Sequence, residues 1–236
     1  MKPQVIYLEK INFKSPTAIV AAQGLRSVGK IALNHLIREL KPKLFAEFYS
    51  RDLPAFFYGI SYLSPPSASG VLRKDGFAEL PCIRFYAYEK PELIITEAYQ
   101  ASDTLGQYET AWKVVDLFEK HKVAKIIILG AHTNRNGLEG FATDSDTLSE
   151  LRDYKIKKTE TDRFIGLSGL VLGIGMIRGI RGFCLLGETS TSVNPEDPDP
   201  KGAKMILDKL KDILKIDIDT SELEEKKPIG EMHYHM

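Results

Sequence analysis

The sequence predicts an α/β fold: a three-layer sandwich with a mostly parallel central sheet. Three observations carry that expectation. Short apolar runs such as Ala124–Leu129 alternate with segments whose apolar residues recur at helical spacing. Several runs are apolar at every position, as strands covered on both faces should be. No internal repeat and no long linker divides the chain. One domain is therefore expected over residues 1–219, with an aromatic, Pro/Ser-rich excursion at about 51–81 and a flexible C-terminal tail over 220–236.

The elements follow in order. Gln4–Leu8 and Thr17–Ala22 read as strands, separated by turn residues Asn12, Ser15 and Pro16. From Ser27 to Leu40, the residues Val28, Ile31, Ala32, Leu36, Ile37 and Leu40 trace a helix that Pro42 ends. Leu44–Tyr49 is strand-like. Gly70–Arg73 and Cys82–Tyr88 are expected to pair around the Lys74-Asp75-Gly76 turn. Leu93–Glu97 reads as a buried strand. Gln107–His121 reads as a helix with Tyr108, Ala111, Trp112, Val115 and Phe118 inward. After the strand Ala124–Leu129 come a short helix (Asp146–Asp153), a small-residue helix (Ser168–Ile177) and the strand Gly182–Leu186. Pro200–Leu214 is an amphipathic helix; Pro200 suits its first position and Asp199 its cap. Residues 215–236 thin into a polar tail.

The 236 residues hold 32 Lys+Arg and 32 Asp+Glu, and 43% are hydrophobic. Zero net charge argues against a nucleic-acid partner, which calls for a basic excess, and leaves little repulsion to oppose self-association. Cys82 and Cys184 lie inside apolar runs and read as reduced core thiols. The N-terminus lacks the apolar core of a signal peptide. The uncharged run Leu53–Leu72 is broken by Pro54, Pro65, Pro66, Gly59 and Gly70, so no membrane span is expected, and a cytoplasmic location is.

Gly24-Leu-Arg-Ser-Val-Gly29-Lys30 follows a strand and opens a helix, giving the GxxxxGK part of a phosphate-binding loop. Ile31 stands where a Mg²⁺-holding hydroxyl belongs. The alternative is a strand-to-helix turn, with Gly29 present for close helix–sheet packing. Gly173, Gly175 and Gly179 imitate a dinucleotide fingerprint at the wrong spacing. The stretch after Ala124–Leu129 places His132, Thr133, Asn134 and Arg135 at a strand C-terminal end, where open α/β sheets bind ligands. Those residues suit an anion, or equally a helix cap or a subunit contact; Glu97 faces the same expected crevice. Phe56, Phe57, Tyr58 and Tyr62 crowd the excursion and suit an oligomer interface or packing on the parent domain. No catalytic nucleophile, metal site or cofactor is indicated. Of the five histidines, only His233 and His235 lie close together.

The order of these segments carries a resemblance. Gly24-x4-Gly29 before a helix, LIITEAYQ (93–100), KIIILGA (125–131), Ile165-Gly166-Leu-Ser-Gly169-Leu170, Leu185-Leu186-Gly187-Glu188-Thr189 and Pro195-Glu-Asp197-Pro198 follow one another over roughly 15–215. This set resembles the proteasome-assembly-chaperone family, in particular its archaeal homologues. The resemblance implies an α/β sandwich like that of purine nucleoside phosphorylases, without their catalytic residues. It implies a non-enzymatic homo-oligomer that contacts 20S proteasome α subunits. It also implies a C-terminal tail ending hydrophobic–Tyr–any residue. Here the end reads Met232-His233-Tyr234-His235-Met236, with the tyrosine third from last rather than second. The contrasting expectation is an enzyme of nucleoside-phosphorylase or hydrolase type, or an ATP-dependent ligase-like one, holding a phosphate-bearing ligand near Lys30, Glu97 and His132–Arg135.

Overall fold

A computed structural model describes residues 3–51, 53, 71–74, 76–98, 104–134, 136–190 and 197–224. Its centre is built from the uniformly apolar runs. Strands β2 (Thr17–Ala21), β7 (Leu93–Glu97), β8 (Lys125–His132) and β11 (Arg181–Glu188) lie side by side and parallel, in the order β7-β2-β8-β11. Successive side chains of a strand point to opposite faces, and both faces are covered here. Val20, Ile94, Ile126, Ile128 and Leu186 meet α2 (Thr104–Lys120) and α4 (Leu167–Ile177). Ile19, Ile95, Ile127, Leu129, Phe183 and Leu185 meet α1 (Val28–Leu40), α3 (Ser145–Asp153) and α5 (Pro200–Leu214). Both sides therefore need apolar residues, which is why these runs show no polar alternation.

The expected α/β class holds, and the sheet is mixed. On one flank β1 (Gln4–Tyr7), β3 (Lys43–Tyr49) and β6 (Ile83–Tyr88) join antiparallel beside β7. On the other, β9 (Glu139–Ala142) runs antiparallel to β11, and β10 (Lys157–Lys158) pairs parallel to β9. Among the described residues nine strands result, in the order β1-β3-β6-β7-β2-β8-β11-β9-β10.

Some elements differ from expectation. The strand after the 51–70 stretch, β4 (Leu72–Lys74), pairs with β5 (Phe77–Glu79) across a turn at Gly76 and not with Cys82–Tyr88. Gly76 has φ +88°, the left-handed backbone a tight reversal requires. The short β9 and β10 carry Gly, Glu and Lys and have no strand signature. Tyr108 is 50% exposed rather than inward, stacked on Trp112 with ring centroids 6.2 Å apart. The chain after α5 does not thin out at once: Ile216, Ile218, Thr220 and Leu223 are buried. His35 of α1 bonds the Asp219 carbonyl at 2.5 Å, and Arg38 pairs with Glu222.

Both cysteines are buried free thiols. Asp199 caps α5 as expected, accepting from the amides of Lys201 and Gly202 at 3.1 and 3.3 Å. Among the described residues, no helix is long and apolar enough to cross a membrane. The excursion aromatics Phe56, Phe57, Tyr58 and Tyr62, together with Arg135 and the end Met232–Met236, lie outside the described residues.

Candidate functional site

The strand-to-helix turn after β2 bears on the phosphate-loop question. Gly24 is extended, Leu25–Ser27 form one 3₁₀ turn, and Arg26 and Ser27 have φ of 45° and 56°. Arg26 reaches across to the start of α5, donating to the Asp197 carbonyl at 2.9 Å and pairing with Asp199 at 3.2 Å. A Cβ on Gly29 would lie 2.3 Å from the Leu129 carbonyl oxygen, so α1 sits directly on the backbone of β8. That close approach accounts for the glycine. Lys30 does not reach toward an open loop: its ammonium pairs with Glu97 at 2.6 Å.

Glu97 is the hub of an ionic cluster. It accepts from Tyr86 at 3.2 Å and stands 3.8 Å from Arg84, which pairs with Glu47 and Glu79 at 3.5 and 2.8 Å. Tyr49 donates to Glu47 at 2.9 Å. Burial opposes ionisation of Glu97, but Lys30, then Arg84 and the Tyr86 hydroxyl, overcome it and hold the carboxyl below its usual range. Burial, reinforced by Glu97, pushes the Tyr86 phenol well up. Each acid here faces a cation or a neutral donor.

The loop after β8 forms a second cluster. His132 is buried; its Nε2 donates to the Gly137 carbonyl at 2.8 Å, and its Nδ1 accepts from the Asn134 amide at 3.1 Å. Those partners fit a neutral ring with its proton on Nε2. Asn134, Asn136 and Thr159 all donate to Glu139, at 3.0, 2.9 and 2.7 Å. Glu139 is 1% exposed. Burial opposes its charge, and these hydrogen bonds still hold its carboxyl low. The Gly137 amide donates to Glu188 at 2.7 Å. His132 and Asn134 are thus engaged within their own loop, while Thr133 is exposed.

Between the two clusters, in sheet order, lies a cavity of about 170 Å³ at the C-terminal ends of β2 and β8. Gly24 and Gly29 line it; Lys30, Glu97, His132, Thr133 and Asn134 do not. Its walls include Leu25, Leu129, Phe141, Phe164 and Leu186, with Gln23, Thr161, Arg163 and Ser168 of α4 as polar members. The structure therefore divides the expected crevice into a salt-bridged cluster, a self-bonded loop and an apolar hollow. Sequence reasoning missed Glu139 and Phe164, and met Ser168 only within the 165–170 segment and the 168–177 helix. The one usable signal was a glutamate between Leu138 and Gly140-Phe141, a charge inside an apolar stretch.

The PAC2 family model matches residues 18–228. The chain belongs to the PAC2 family. A Methanocaldococcus jannaschii relative, itself uncharacterised, is 28% identical over 211 residues, covering 86% of this chain and 75% of that protein. Among solved structures, Pyrococcus furiosus PbaB, an archaeal proteasome activator, superposes with a TM-score of 0.78 at 28% identity. The match covers 94% of this chain and 93% of PbaB. Pyrococcus furiosus PbaA, an archaeal homologue of proteasome-assembly chaperone, gives 0.74 at 23% identity, over 94% and 90% of the two chains, which is a likeness of fold.

In this PAC2 chain the motifs behind the resemblance fall at element ends. Gly24–Gly29 joins β2 to α1, and Leu185–Thr189 closes β11. Gly166 caps α4 with φ 102°. Among the described residues, no three His, Cys, Asp or Glu side chains gather as metal ligands. His121 packs edge-on against Phe45, with ring centroids 5.3 Å apart, far from a ligand role.

Proposed function

We propose that this PAC2 chain is a proteasome-assembly-chaperone-like interaction protein: a non-enzymatic, cytoplasmic homo-oligomer that binds 20S proteasome α subunits. The match of the PAC2 model over 18–228, joined to 28% identity with PbaB over nearly the whole of both chains, carries the reading. The polar chemistry supports it. Lys30, Glu97, His132 and Asn134 face one another or their own loop, whereas an enzyme aims such groups at a substrate.

The outer face of α2 and α4 adds a surface for contact between copies. Tyr108, Met176 and Ile177 are exposed, Ile177 by 66%, around Trp112 with the Arg178 guanidinium 4.9 Å from its ring centroid. The excursion aromatics Phe56, Phe57, Tyr58 and Tyr62 are proposed as a further part of that interface, and the Met232–Met236 end as the segment presented to the α ring. Several such ends on one oligomer raise avidity by about 10²–10⁴.

Pull-down of purified 20S α subunits with the full chain, and with a chain lacking residues 230–236, tests the reading. Capture by the full chain, weakened at least about tenfold by the truncation, is expected. Failure of both chains to capture α subunits overturns it.

A further inference from the structure

The hollow between the two clusters has polar as well as apolar lining. Ser168 is 5% exposed and lines the cavity, and its hydroxyl has no hydrogen-bond partner among the described residues. It is the second residue of α4, an eleven-residue helix whose N-cap, Gly166, offers no side chain. First-turn amides of a helix have no acceptor within it, and the dipole's positive end lies there. Both features favour an anion. Arg163 also lines the cavity and makes no ion pair among the described residues. Phe141, Phe164, Leu129 and Leu186 line the same cavity, with Gln23 and Thr161 as further polar members. The cavity thus joins groups that accept negative charge to walls that accept hydrocarbon.

Size narrows the class further. A cavity of about 170 Å³ is comparable to the ~150 Å³ apolar hollow that takes one benzene ring. We propose that this cavity binds a compact apolar carboxylate, a single ring or a short branched chain bearing one acid group. The acid sits on the Ser168 hydroxyl and the first-turn amides of α4, and Arg163 balances its charge. The proposal uses no proteasome contact, so it stands or falls independently of proteasome binding.

Titration of the ¹⁵N-labelled full chain with sodium benzoate and with sodium isovalerate, followed by NMR, tests the site. Saturable shifts of the amides of Leu167, Ser168, Gly169 and Gly130 are expected, with a Kd of about 1 mM or tighter. Benzyl alcohol, of similar shape but uncharged, should bind at least about tenfold more weakly. Ser168→Ala and Arg163→Gln should each weaken benzoate by about fivefold or more. Gly24→Leu should abolish binding by filling the hollow; Gly24 has extended backbone and open space around an added Cβ. Absence of saturable shifts in the unaltered chain overturns the proposal. So does equal binding of benzyl alcohol, or benzoate binding that ignores all three substitutions.

Discussion

Glu97 and Glu139 sit four strands apart in the sheet, each near a strand terminus, and each keeps its charge by different means. Glu97 is answered by cations: Lys30 from α1 at 2.6 Å and Arg84 from β6 at 3.8 Å. Glu139 is answered by three neutral donors, and the nearest ring nitrogen, Nδ1 of His132 at 3.5 Å, accepts from the Asn134 amide. The first arrangement ties a helix to three strands near solvent. In the second the carboxylate is buried beneath half-buried and exposed donors, and it fixes one loop. Partial exposure tolerates a charge pair because water shares the cost; full burial needs several aligned dipoles. A carboxylate at a strand end is therefore no sign of catalysis until its partners are counted.

The largest effect separating the two should come from emptying the deeper one. Glu139→Leu strands Asn134, Asn136 and Thr159 without their acceptor and should destabilise the fold by about 3 kcal/mol or more. Urea denaturation reads this directly, and a midpoint equal to the unaltered chain would show the loop contributes nothing. Lys30→Met comes next, at about 1–3 kcal/mol, because Arg84 and Tyr86 still serve Glu97. The double substitution Lys30→Met with Glu97→Leu should recover part of that loss; strict additivity would dissolve the pair as a coupled unit.

The smallest effect is in pH. Both carboxyls are held below their usual range when folded. In the unfolded chain each takes up its proton near the ordinary value of about 4.3. The unfolded state thus binds more protons in that window. The stabilisation is full above it and is lost as pH falls through the folded values. Glu97→Gln and Glu139→Gln should each flatten the decline in urea midpoint between neutral and acid pH. An unchanged slope in both would assign acid sensitivity elsewhere, for instance to Asp144, whose carboxylate is held low by the Thr147 amide and the Thr143 hydroxyl.

The sequence made the middle of the sheet legible and its margins obscure. β2, β7, β8 and β11 must satisfy two apolar layers at once, and such strands announce themselves. β9 and β10 borrow pairing from β11 and from each other, with glycine and charged residues that carry no period. The five helices were readable from spacing, but Tyr108 shows that spacing alone does not say which aromatic points outward. At the site, Lys30 and Glu97 were found individually, yet only the chain crossing from α1 to β7 reveals that they neutralise each other. The cavity was invisible because its parts come from β2, β8, β9 and the stretch before α4, which no local window joins.

The seating of α1 on β8 has a consequence for mutational tolerance. An added methyl group at Gly29 would meet the Leu129 carbonyl, and one at Gly202 would meet the Glu188 carbonyl at 2.8 Å. Backbone cannot yield as a side-chain tip can, so only hydrogen fits at either place. A glycine retained at these positions in relatives would therefore record the distance between helix and sheet, and would say nothing about phosphate.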